Sequence, residues 1–109
     1  MSKQWVAIGK VDDVPPGEVR VFDLPDGGSV AVCNADGKLY AVEDVCTHDG
    51  GPLGEGFLEG CAIECPRHGA QFDIRTGEVL RAPAYLPIKT FPVRAEGSQI
   101  QVEIDDSIQ

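Results

Sequence analysis

Residues 46–53 read Cys-Thr-His-Asp-Gly-Gly-Pro-Leu, and residues 65–73 read Cys-Pro-Arg-His-Gly-Ala-Gln-Phe-Asp. Cys46 and His48 make a C-x-H pair, Cys65 and His68 a C-x-x-H pair, and each runs into turn sequence containing glycine. His48 and His68 are the only 2 histidines of the chain. Thiolates suit soft metal ions and imidazole suits iron or zinc. A chain that places its scarcest good ligands in one paired pattern is built to hold a metal centre. Whatever fold it adopts must bring two loop tips to one point.

The rest of the sequence says how. Alternating apolar residues over 4–8, 18–24, 29–33 and 38–43 read as strands, separated by turn sequences such as Pro-Asp-Gly-Gly at 25–28 and Asn-Ala-Asp-Gly at 34–37. Residues 11–17, with Pro15-Pro16-Gly17, read as a turn. Glycine at 50, 51, 54, 56 and 60 leaves room only for short strands at 57–58 and 62–64. A hairpin turn at Thr76-Gly77 lies within 74–80, a proline-bearing loop covers 82–87, and 88–94 pairs with 99–104 as a closing hairpin. The tail from 105 reads as frayed. No stretch of ten residues has helical periodicity. Close-spaced strands of this kind predict an all-β antiparallel sandwich or barrel. A chain of 109 residues supports one domain. Each Cys-plus-His pair then follows a strand (40–45 and 62–64), so rigid β structure presents both loops. The glycines let the backbone turn sharply and aim amide N–H groups at the centre.

A structural zinc site is one candidate for these four residues. Zinc knuckles, however, usually pair cysteine with cysteine and histidine with histidine. Mixed knuckles fit a two-iron cluster, with thiolates on one iron and imidazoles on the other.

The two stretches resemble the binding loops of Rieske [2Fe–2S] proteins, and Thr76-Gly77-Glu78, the Pro83 loop and the final hairpin extend the likeness to small Rieske ferredoxins along nearly the whole chain. The resemblance implies a Rieske-like antiparallel β fold, a single domain over 1–109 with a small cluster-binding β subdomain at about 44–84. It implies one [2Fe–2S] cluster held by Cys46, His48, Cys65 and His68. The cysteines would take the inner iron and the histidines the outer one, with Pro83 closing a third side.

Departures from the respiratory and photosynthetic members of that family narrow the expectation. Those carry an extra cysteine in each loop, joined as a disulfide, where this chain has Gly51 and Arg67. They also place serine and tyrosine hydroxyls near the sulfurs, where this chain has Ala70 and Phe72. Fewer donors to sulfur make added negative charge less welcome. The expected potential therefore sits low in the roughly −150 to +300 mV Rieske window. Solvent-near histidines predict coupling of reduction to proton uptake at high pH.

Charge bears on partners. The 9 basic and 18 acidic residues sum to −9, the wrong sign for binding nucleic acid and the right one for steering toward a basic protein. No apolar run reaches the ~18 residues of a membrane span, and the first residues lack a signal-peptide layout. The expectation is a soluble, cytoplasmic, monomeric protein. Nothing offers substrate chemistry, because both histidines are spent on the cluster. The chain reads as an electron carrier between a flavoprotein reductase and a terminal oxygenase of the ring-hydroxylating type, not as an enzyme. The alternatives are a Rieske-type small subunit of a larger reductase, such as a nitrite reductase, and a zinc-stabilised binding module. Cys33 and Cys61 read as inert core thiols, with a disulfide between them disfavoured in the cytoplasm. Asp49 and Arg67 flank the histidines and are candidates for tuning docking. Trp5, Phe22, Tyr40, Phe57 and Phe91 read as core or edge filler.

Overall fold

The computed structural model describes residues 3–25, 27–46, 51–66 and 69–105. Their regular structure is eleven strands in three antiparallel sheets, with one 3-10 turn at Val11–Asp13 inside the segment read as a turn. β2 (Val19–Asp23), β3 (Ser29–Ala35), β4 (Lys38–Glu43) and β9 (Thr90–Phe91) form one sheet in that order. β1 (Lys3–Lys10), β11 (Gln99–Asp105) and β10 (Val93–Glu96) form the second. β5 (Phe57–Glu59), β6 (Ala62–Glu64), β7 (Gln71–Asp73) and β8 (Val79–Arg81) form the third, a plain meander.

β3 explains why the layers stack as they do. Its residues 30–34 are all buried, so it lacks the alternation of a half-exposed strand and has apolar neighbours on both faces. Val30 and Val32, with Ala41 of β4, join a core with Ile100, Val102 and Ile104 of β11. Ala31 and Cys33, with Val42, join a different core with Leu53, Ile63, Phe72 and Ile74. The β2–β3–β4–β9 sheet therefore divides two cores, and the second lies against the β5–β8 meander.

Two strand expectations need correction. The stretch 88–94 is not one strand. Pro92 lacks an N–H to donate, and at that residue the chain leaves one sheet for another. Thr90 and Phe91 pair with β4, whereas Val93 onward pairs with β11. The strand before the Thr76-Gly77 turn begins at Gln71, inside the second Cys/His stretch, and stops at Asp73. Asp73 N–H donates to the Glu78 carbonyl at 2.8 Å and Gly77 N–H to the Asp73 carbonyl at 2.7 Å, which closes the turn. Gly77 has φ +84°, and a side chain there would run into the Ile88 carbonyl, so glycine is required. Phe57 is edge but not core: it stands on the outer strand β5 and is 65% exposed.

Candidate metal centre

The first loop leaves β4 through Asp44 and Val45. Asp44 Oδ1 accepts a hydrogen bond from Gly54 N–H at 2.6 Å, tying the start of the loop to its end. A side chain at position 54 would overlap Val21, so this junction also demands glycine. Within it, Cys46 N–H donates to the Gly51 carbonyl at 2.8 Å. The second loop repeats that closure: Cys65 N–H donates to the Ala70 carbonyl at 2.7 Å. One bridge encloses residues 47–50 and the other 66–69, the same loop length. In the second, Gly69 turns back at φ +76° and donates to the Cys65 carbonyl at 3.1 Å. Each cysteine thus stands at the base of a loop closed over the same number of residues.

Both cysteines have no exposed surface and share the apolar cluster of Leu53, Ile63, Ala70 and Phe72. Ala84 of the proline-bearing loop packs into the same cluster, while Pro83 beside it is exposed. Three chain segments therefore converge on the cysteine bases. His48 and His68, with Asp49 and Arg67, lie outside the described residues. Ala70 and Phe72 are fully buried and bring no hydroxyl to this interior.

The other two cysteines separate. Cys33 is completely buried in β3, and burial pushes its thiol up to about 12, so it stays protonated at neutral pH. Cys61 is only half-buried, in the turn between β5 and β6, where its carbonyl accepts from Ile74 N–H at 2.9 Å. The core expectation holds for Cys33 and only in part for Cys61. Neither is in a disulfide.

Sequence reasoning missed several residues that organise the site. Asp44 is one, and its signal was an aspartate standing just ahead of a glycine-rich loop. Another set is Glu64, Gln71 and Arg81, which neighbour one another across β6, β7 and β8. Asp73 is a third. Its buried carboxylate accepts from Arg75 Nε and Nη2, each at 3.0 Å, and from Arg75 N–H at 2.8 Å. The Arg75 guanidinium holds that carboxyl below its ordinary range against the opposing effect of burial.

Residues 4–92 match the Rieske [2Fe-2S] domain. The chain belongs to this family. Among curated relatives, the ferredoxin component of the naphthalene 1,2-dioxygenase/salicylate 5-hydroxylase systems of Ralstonia sp. is 36% identical over 96% of this chain and 100% of its own length. Among solved structures, the Sphingomonas yanoikuyae B1 ferredoxin superposes with a TM-score of 0.88 at 33% identity, covering 94% of this chain and all of that one. The ferredoxin in a complex of reduced oxygenase and oxidized ferredoxin in carbazole 1,9a-dioxygenase reaches 0.84 at 34% identity, covering 90% of this chain and 91% of that one. The cofactor of the family is a [2Fe-2S] cluster, and the residues present fit one. Two buried thiols stand at the bases of two loops closed over the same length, inside an apolar cluster suited to sulfur ligands.

Proposed function

We propose that Cys46 and Cys65 bind one iron of the cluster and His48 and His68 the other, within a cluster-binding subdomain spanning about 44–84 of a single domain. The chain is an electron carrier and not itself a catalyst. In this reading it is a soluble, cytoplasmic monomer that takes single electrons from a flavoprotein reductase and delivers them to a terminal ring-hydroxylating oxygenase. The bound cluster supplies a one-electron change. The protein's own residues supply an apolar seat for the sulfur side, two loops closed at their bases and exposed apolar side chains for contact with a partner.

The observation that carries this reading is the pair of equal loop closures, which set both cysteines in one buried apolar cluster. The surface supports it too. Among the described residues, the exposed large hydrophobics are Val45, Phe57, Leu80, Tyr85 and Leu86, all in or next to the segments that carry the loops, and Val21, which borders Gly54. Large apolar side chains left exposed near the loops are candidates for contact with a protein partner. No helix among the described residues is long and apolar enough to cross a membrane. The relatives' ferredoxin names favour a freestanding carrier over a fixed small subunit of a larger reductase.

The test is anaerobic reductive titration of the purified protein with EPR and visible absorbance. Uptake of one electron per chain with the anisotropic signal of a mixed Cys/His cluster is expected. A colourless protein with stoichiometric zinc refutes the reading. For the ligand set, His68→Cys is expected to lower the midpoint potential strongly or abolish the cluster. An unchanged potential removes His68 from the ligands.

A further inference from the structure

The β6–β7 hairpin carries a charged row immediately behind the second cysteine loop. The registers Phe57↔Glu64, Glu64↔Gln71 and Gln71↔Arg81 set these residues side by side across the meander. They occupy the opposite face from the row that includes Ile63 and Phe72, which is buried in the core with the cysteines. Glu64 directly precedes Cys65, and Gln71 directly follows Ala70, so this row is the last rung before the loop closes.

The Glu64 carboxylate is not a loose surface charge. Gln71 Nε2 donates to its Oε1 at 2.9 Å. Arg81 Nη1 stands 3.8 Å from the same oxygen. The other oxygen, Oε2, lies 4.0 Å from where a Cβ on Gly69 would stand, so the group is held against the loop itself. Its side chain is 34% exposed, against 59% for Arg81. As a stability element this pair contributes little, since water screens a partly exposed ion pair. Its position is what matters. A fixed negative charge beside a centre that gains an electron disfavours the reduced form, and partial burial weakens the screening that water would otherwise provide.

We propose that Glu64, held by Gln71, lowers the reduction potential of the centre at the second loop, and that Arg81 partly offsets it. This rests on the proposed cluster site at Cys65. In this proposal Glu64 acts as a tuning residue through its field.

The experiment measures midpoint potentials of the cluster-loaded wild type, Glu64→Gln, Arg81→Gln and Glu59→Gln by voltammetry. Melting temperature and EPR line shape are recorded alongside. Glu59 is the control: an exposed carboxylate at the opposite end of β5 in the same sheet. Glutamine at 64 keeps an acceptor for Gln71, so the rung is expected to survive. The expected result is an upward shift for Glu64→Gln, larger than that of Glu59→Gln, and a downward shift for Arg81→Gln. Both shrink with salt as the Debye length falls from about 30 Å at 0.01 M to about 3 Å at 1 M. Melting temperature and EPR stay as in the wild type. A Glu64→Gln potential equal to wild type, or shifted no more than Glu59→Gln, overturns the proposal. Should Glu64→Gln fail to assemble a cluster, Arg81→Gln decides, and no downward shift there overturns it. Absence of a cluster from the wild type is a separate result that refutes the proposed function instead.

Discussion

Ala70 and Phe72 are both fully buried in the cluster that holds Cys46 and Cys65, and neither side chain carries a hydroxyl. A donor placed at position 70 would enter the same apolar cluster as both cysteines. Ala70→Ser is expected to raise the midpoint potential with little change in melting temperature. Voltammetry beside a thermal melt checks this, and an unmoved potential means the hydroxyl points elsewhere. The remaining cysteines differ in the same terms. Cys33 is buried with its thiol pushed up to about 12, so it reacts only when the protein unfolds. Cys61 is half-buried. Alkylation of the native, cluster-loaded protein followed by peptide mapping is expected to label Cys61 first and leave Cys33 unmodified; equal labelling contradicts it. The contrast was hidden in the sequence, where both cysteines sit at apolar-patterned positions. Only the turn at Gly60, with φ +60°, brings Cys61 toward the surface.

Among the elements, the β7–β8 hairpin links the second loop to the core, and Asp73 is its fastening. Strand spacing alone did not show this, because Asp73 reads as the polar end of a motif while its partner Arg75 sits in the following turn. Arg75 lowers the Asp73 carboxyl in the folded state, so the unfolded carboxyl binds its proton at higher pH than the folded one. The stabilisation is therefore fully present above the ordinary carboxylate pKa of about 3.9 and is lost as pH falls through the lower folded value. In paired melts at neutral and acid pH, wild type is expected to lose more stability than Asp73→Asn, which starts lower and changes less. Parallel slopes for the two proteins would remove Asp73 from the acid response. Strand limits were legible where turn residues bracket apolar runs, as for β2 and β4, whereas β3 runs on through Asn34 and Ala35 into the stretch read as a turn. They were not legible at Pro92, because a proline that ends one pairing and begins another looks, in sequence, like an edge-strand proline.

For the molecule as a whole, two surface properties bear on partner docking. The net charge of −9 acts at long range and is screened by salt. The exposed apolar residues act on contact, and Tyr85, 81% exposed, stands in the same proline-bearing loop as the buried Ala84. Phe57→Ser and Tyr85→Ser are expected to slow electron delivery to an oxygenase by roughly 5- to 30-fold, the effect of losing about 1–2 kcal/mol of contact energy. Potential and melting temperature stay unchanged. Stopped-flow oxidation of the reduced protein by an oxygenase component, across a salt series, reads both properties at once. Rates that ignore the substitutions place the docking face elsewhere.

What the sequence by itself determined was chemistry and class: two Cys/His pairs in turn-flanked loops, strands too short and too closely spaced for helices, and a charge that turns away nucleic acid. These follow from residue type and local spacing, which the chain carries without folding. Only the tertiary structure decided that β3 divides two cores, that both loops close over the same length, and that Glu64 and Arg81 meet across the meander behind Cys65. Each of these depends on register between distant strands, and register is set by which faces bury together and not by any one stretch of sequence.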